Sequence, residues 1–196
     1  MKSLTAVKII NYLLFQIGWL ACVWGAAEGY PWMGLVAIVP TLLLHFRWAH
    51  NRSAEARLLL VCALTGIAFD GILLTTGWVA FPNGEWIPGL APYWMMVLWV
   101  FLGTTLNLSM AWMKGRPVAA FILGAVGGPL AYIAGEKLGG ITLVESTPAL
   151  IALAVGWGVV MPALAHVATR LNGFKNPSPP DFIISESDNS RISQHG

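Results

Sequence analysis

Charge is what this sequence has least of: of 196 residues only 10% are Asp, Glu, Lys or Arg, against 57% in the hydrophobic class and a mean hydropathy of +0.68. Soluble domains carry roughly a quarter charged residues, so an ordinary soluble enzyme is excluded. Cysteine is scarce too, and two thiols cannot staple a secreted module. High hydropathy excludes a disordered chain, and the lack of a basic face excludes a nucleic-acid binder. Catalytic signatures are also missing. No Gly-x-Ser-x-Gly elbow, phosphate loop, dinucleotide fingerprint, Glu-x-x-His or Cys-x-x-Cys pattern occurs, so neither a metal nor a cofactor is expected.

What the chain does have is long apolar runs. A helix needs about 20 apolar residues to cross some 30 Å of hydrocarbon, and six stretches approach that length. They lie at about 8–28, 31–47, 58–80, 93–113, 117–136 and 148–169, the second being the shortest. Pro31, Pro92, Pro117 and Pro148 stand at or beside the starts, where a missing amide hydrogen costs nothing. The fold class predicted is therefore all-α, an integral membrane bundle of six transmembrane helices over residues 1–172. A flexible cytoplasmic tail follows at 173–196, where Pro, Ser, Asp, Glu and Asn take over.

Basic residues set the orientation. Lys2, Lys8, Arg47, Arg52, Arg57, Lys114, Arg116, Arg170, Lys175 and Arg191 fall on one side of such a bundle and Lys137 on the other, which puts both termini in the cytoplasm. Trp24, Tyr30, Trp32, Trp78, Trp86, Tyr93 and Trp94 form the outer aromatic belt, Trp48 and Trp112 the inner one, and Trp19, Trp99 and Trp157 fill the bundle. The first run is too long for a signal-peptide core. Cys22 and Cys62 differ in depth by several turns and are expected to stay unbridged.

Small residues supply the packing that apolar burial cannot supply in lipid. Ala120, Gly124 and Gly128 recur at intervals of four in the fifth span; Asn11, Gly18, Cys22 and Gly25 share one face of the first. Pro40, Pro129 and Pro162 lie inside spans.

The costliest side chain is Asp70, about halfway along the third span, where a bare carboxylate costs on the order of 3 kcal/mol on insertion scales. By depth its partners should be Thr104 and Asn107 of the fourth span and Gln16 of the first, together forming a buried polar node. Asn11, His45, Asn107 and His166 should gather in the cytoplasmic third as a polar vestibule.

Three segments carry a family likeness: Leu106-Asn107-Leu108-Ser109-Met110-Ala111-Trp112, the run Gly127 to Gly135, and Asn11 to Trp19 with its Phe15-Gln16. Over about residues 8–170 the chain resembles the bacterial domain-of-unknown-function 2878 family. The resemblance implies a small, multi-pass protein of the bacterial inner (cytoplasmic) membrane without an assigned reaction. It also implies a lipid context beside cyclopropane-fatty-acid-synthase-like enzymes, so the expected partners are membrane lipids and a lipid-modifying enzyme, not nucleic acid. Relatives favour His after the asparagine; this chain has Leu108, which removes a histidine from that spot.

Three functional readings stay open at this stage. The leading one is a non-catalytic accessory protein that binds a lipid or a partner enzyme through Asp70, Asn107 and Gln16. The second is a lipid-modifying or lipid-hydrolysing enzyme in which Asp70 is assisted by His45 or His166. The third is a proton-coupled small-solute carrier titrating at Asp70.

Overall fold

The computed structural model describes residues 4–174. Six α-helices are present: α1 (Leu4–Ala27), α2 (Met33–Trp48), α3 (Arg52–Thr75), α4 (Tyr93–Leu106), α5 (Pro117–Lys137) and α6 (Ser146–Arg170). Four of them, α1, α3, α5 and α6, are long and apolar enough to cross a membrane; α2 and α4 are shorter apolar helices. Most of the proposed tail lies outside the described residues, but Gly173 and Phe174, assigned to it from composition, belong to the folded part.

Local chemistry accounts for the boundaries. Asn51 caps α3, its side-chain oxygen accepting from the Ala54 amide at 3.0 Å. Pro117 opens α5 at its first turn and Pro92 precedes α4. Gly29 ends α1 with φ of 79° while the Tyr30 amide reaches back to the Gly25 carbonyl at 2.7 Å, a left-handed C-cap that a side chain would strain. Several boundaries differ from the sequence reading: the first helix begins at Leu4 and not at 8, and the third ends at Thr75 and not at 80, Val79 and Ala80 lying in a short strand. The third helix begins six residues earlier than 58, because Asn51 can cap it and its charged first turns lie at the bundle end. The fourth stops at Leu106 instead of 113: Thr104 and Thr105 turn their hydroxyls onto the carbonyls three residues back, and a turn with one 3-10 segment, Ala111–Met113, follows.

α4 is the central post. Ten of its fourteen residues are buried, as expected of a helix surrounded by others, and it packs against α1, α2 and α3. α5 and α6 form a separate close-packed hairpin. Missing side chains allow the approach: Gly18 of α1 lies beneath Phe101, and Gly124 and Gly128 of α5 lie against Trp157. At the end opposite the chain termini, β1 (Val79–Ala80) pairs antiparallel with β2 (Thr142–Leu143), which the sequence did not announce. The surface is apolar where a soluble protein would be polar. Val118, Ile122, Val126 and Leu130 run along the outside of α5, and Ile151, Val155 and Val159 along α6, all exposed. Trp94, assigned to the outer belt, is fully buried instead, because its indole N–H donates to the Asn83 carbonyl at 2.9 Å. Cys22 and Cys62 are buried free thiols.

Candidate functional site

One face of α3 carries both buried acids. Glu55, Leu59, Cys62, Gly66, Asp70 and Leu73 recur at helical spacing and are all buried, so the stripe that faces α4 holds a carboxylate at its start and another near its middle. Gly66, one turn before Asp70, has no side chain to keep the Trp99 ring off the backbone. The Trp99 indole therefore reaches Asp70 and donates to Oδ2 at 2.8 Å, while the Tyr132 hydroxyl donates to Oδ1. Trp99 stacks on Trp157 with ring centroids 4.6 Å apart and planes 12° from parallel.

This corrects the expected node. Thr104, Asn107 and Gln16 are not the partners of Asp70. Trp99 lies five residues before Thr104, about 7 Å along the helix, so Asp70 is level with the indole and not with the threonine. Thr104 faces α1, its carbonyl and hydroxyl accepting from the Asn11 amide at 3.2 and 3.5 Å. The Asn11 side-chain oxygen in turn accepts from the Ser109 hydroxyl at 2.7 Å. Sequence reasoning assigned Trp99 to bundle filling; the usable signal was that a buried indole N–H needs an acceptor and that few acceptors exist at this depth.

The second centre, at the end of the bundle where α1 begins and α6 ends, is built on Glu55, which sequence reasoning missed. Oε2 lies 3.0 Å from His45 Nε2, and Oε1 accepts from the Asn107 side chain at 2.7 Å and from the Gly173 amide at 2.6 Å. Asn107 also donates to the Leu171 carbonyl at 2.8 Å and accepts from Lys114. Burial holds the Lys114 ammonium below the usual lysine range, an effect opposed by the nearby Glu55 charge. Asn11, His45 and Asn107 thus do gather at one end, but packed and bonded instead of lining an open vestibule; their exposures are 2%, 1% and 5%. His166 is not with them, being exposed on the outside of α6. Among the described residues His45–Glu55 is the only contact within 4 Å between a basic side chain and a carboxylate, and no group of three or more His, Cys, Asp or Glu converges.

The open space is elsewhere. A cavity of about 400 Å³ lies where α1 and α5 flank α4, within the range of small-molecule sites. Its walls include Phe15, Gln16 and Trp19 of α1, Leu102 of α4, Gly127 of α5 and Trp157 of α6. Trp99 and Tyr132 line it as well, so the residues that hold Asp70 form part of its wall. α1 packs on α2 and α4, and α5 on α6, which leaves the groove between them. Gln16 on one lip and Leu130 on the other are exposed, so the groove opens sideways toward the apolar surface. The Trp157 indole nitrogen beside it has no hydrogen-bond partner among the described residues.

No curated protein and no solved structure matches the chain. The model of one family does, over residues 8–163, which contain α4 with both its acid partners, the groove and most of the Glu55 centre. By that match the chain belongs to the family described as protein of unknown function (DUF2878).

Proposed function

We propose that this is a six-span inner-membrane protein, both termini cytoplasmic, that holds a membrane lipid in the groove between α1 and α5 and acts as an accessory to lipid chemistry. The observation that carries the reading is the sideways-opening apolar cavity of about 400 Å³, walled by aromatic rings at mid-depth. A cleft of that kind facing acyl chains is entered from the bilayer and not from water. Supporting the orientation, Lys8, Arg47, Arg52, Arg57, Lys114, Arg116 and Arg170 lie toward the Glu55 end, and Lys137 alone among the described basic residues toward the other. α4, too short by itself at fourteen residues, is enclosed by neighbours, where irregular backbone such as the Asn107–Met110 turn is tolerated.

The binding reading is preferred to acid–base catalysis because Asp70 is occupied. Its two oxygens accept from Trp99 and Tyr132, His45 is engaged by Glu55, and His166 faces outward. Native mass spectrometry of gently extracted protein tests the proposal. Retention of a lipid that is lost when the groove is filled by Gly127→Leu is expected; a wild-type protein that carries no lipid would refute it.

A further inference from the structure

Each helix that flanks the groove has a cation at its start and at the same interval from the groove wall, Lys8 within α1 and Arg116 at the N-cap of α5. On α1, Lys8 precedes the wall residues Phe15 and Trp19 by seven and eleven positions; at the N-cap of α5, Arg116 precedes Leu123 and Gly127 by seven and eleven. On α1 those intervals keep Lys8 on the stripe that walls the groove, and Arg116 sits at the start of α5, at the same end of the bundle as the start of α1. The linker between α4 and α5 lies at that end. Ser109 donates to Asn11, one turn from Lys8; Met110 lines the cavity; and the Arg116 amide donates to the Met113 carbonyl at 2.9 Å.

The charges here are unbalanced. The acid that α3 brings to this end, Glu55, is 0% exposed and already bonded to His45, Asn107 and Gly173. Lys114 is turned inward onto Asn107. Lys8 is half-buried and Arg116 exposed, so both can lay their stems on apolar surface and lift their heads to the interface. Resting on the lipid-binding reading above, we propose that the occupant is an anionic phospholipid, one acyl chain in the groove and its phosphate between Lys8 and Arg116. A zwitterionic headgroup brings an ammonium of its own into a mouth furnished with cations; a phosphatidylglycerol headgroup does not.

The test is native mass spectrometry of delipidated protein offered equal amounts of phosphatidylglycerol and phosphatidylethanolamine. At roughly five-fold per cation near the surface, wild type should prefer phosphatidylglycerol by about thirty-fold. Lys8→Gln with Arg116→Gln should bring the two lipids to near parity while still retaining one. Both substitutions fall outside the packed core, so the fold is not at stake. Equal retention by wild type, or an unchanged preference in the double variant, would overturn the headgroup assignment yet leave lipid binding standing; no lipid on wild type would overturn the binding reading itself. Inorganic phosphate, which shares the charge but not the chain, should leave no adduct, and an adduct that survives Gly127→Leu would reassign the mouth to a free-anion site.

Discussion

Gly127 and Gly128 are neighbours in α5 with opposite surroundings, and exchanging each for alanine separates packing from binding. A Cβ at Gly127, which lines the groove, meets nothing within 4 Å; a Cβ at Gly128 would lie 2.7 Å from the Trp157 Cβ, with the indole ring closer still. Either exchange gains about 0.8–1 kcal/mol of helix propensity. Gly127→Ala should therefore be neutral or slightly stabilising. At Gly128 the α6 indole must retreat by roughly 1 Å, and overpacking of that kind costs typically 1–3 kcal/mol. The gain at one site and the cost at the other share the same propensity term, so the difference between the two variants is the overpacking alone. At about 2–4 °C per kcal/mol for a chain of this size, Gly128→Ala should melt roughly 2–12 °C below Gly127→Ala. Thermal unfolding in one detergent, followed by tryptophan fluorescence, reads the gap, and lipid retention by native mass spectrometry reads the groove. Larger side chains should widen the contrast, with Gly127→Leu folding well but empty. Equal melting temperatures for the two alanine variants, or a full lipid complement on Gly127→Leu, would refute the assignment of these two glycines.

Glu55→Ala should cost about 3–5 kcal/mol, because it strands the buried Asn107 and Gly173 donors and His45 together; Glu55→Gln, which keeps an acceptor for the first two, should lose less, as detergent unfolding will show. Asp70→Asn should stay within about 1 kcal/mol of wild type, since the amide oxygen can accept from Trp99 and its N–H₂ can donate to the Tyr132 oxygen, whereas Asp70→Leu leaves both partners unmatched; the order of melting temperatures, Asn above Leu, is the check. Neither Cys22 nor Cys62 should react with maleimide until the protein is denatured, both being fully buried, and labelling of the folded protein would contradict the packing described. Lys114 gives a pH dependence of known sign. Its folded-state pKa is depressed, so the unfolded chain binds more protons and stability should rise with pH up to the ordinary lysine value; Lys114→Met should flatten that slope in melting curves taken across alkaline pH.

The pattern of apolar runs, prolines and small residues was enough to read six helices, the glycine stripe of α5 and the buried face of α1, since each follows from local spacing. Asp70 could be singled out for the same reason: its burial cost is a property of one residue at one depth. Its partners could not. Which rings meet a carboxylate depends on rotation of α4 about its own axis, and that is set by Gly66 opposite Trp99, a contact between positions thirty-three apart. Glu55 escaped because Arg52 and Arg57 on either side made its surroundings look like a solvated loop, yet its spacing from Asp70 along one stripe of α3 was visible in the chain. The early end of α4 was hidden for another reason: residues 107–113 stay apolar enough to continue a span, and the helix ends where Asn107 bonds to Glu55 and Leu171 and the chain turns back onto the Thr105 carbonyl. The groove had no local signature, because it is the space left where two helices do not touch.

The bond between Glu55 and Gly173 joins positions 118 apart and has a consequence for biogenesis. Glu55 is synthesised in the first third of the chain, together with His45, but the amide that completes its coordination belongs to a residue made after the last helix. Until then Glu55 lacks one of its three partners. The seam therefore closes last, only after all six helices have been made.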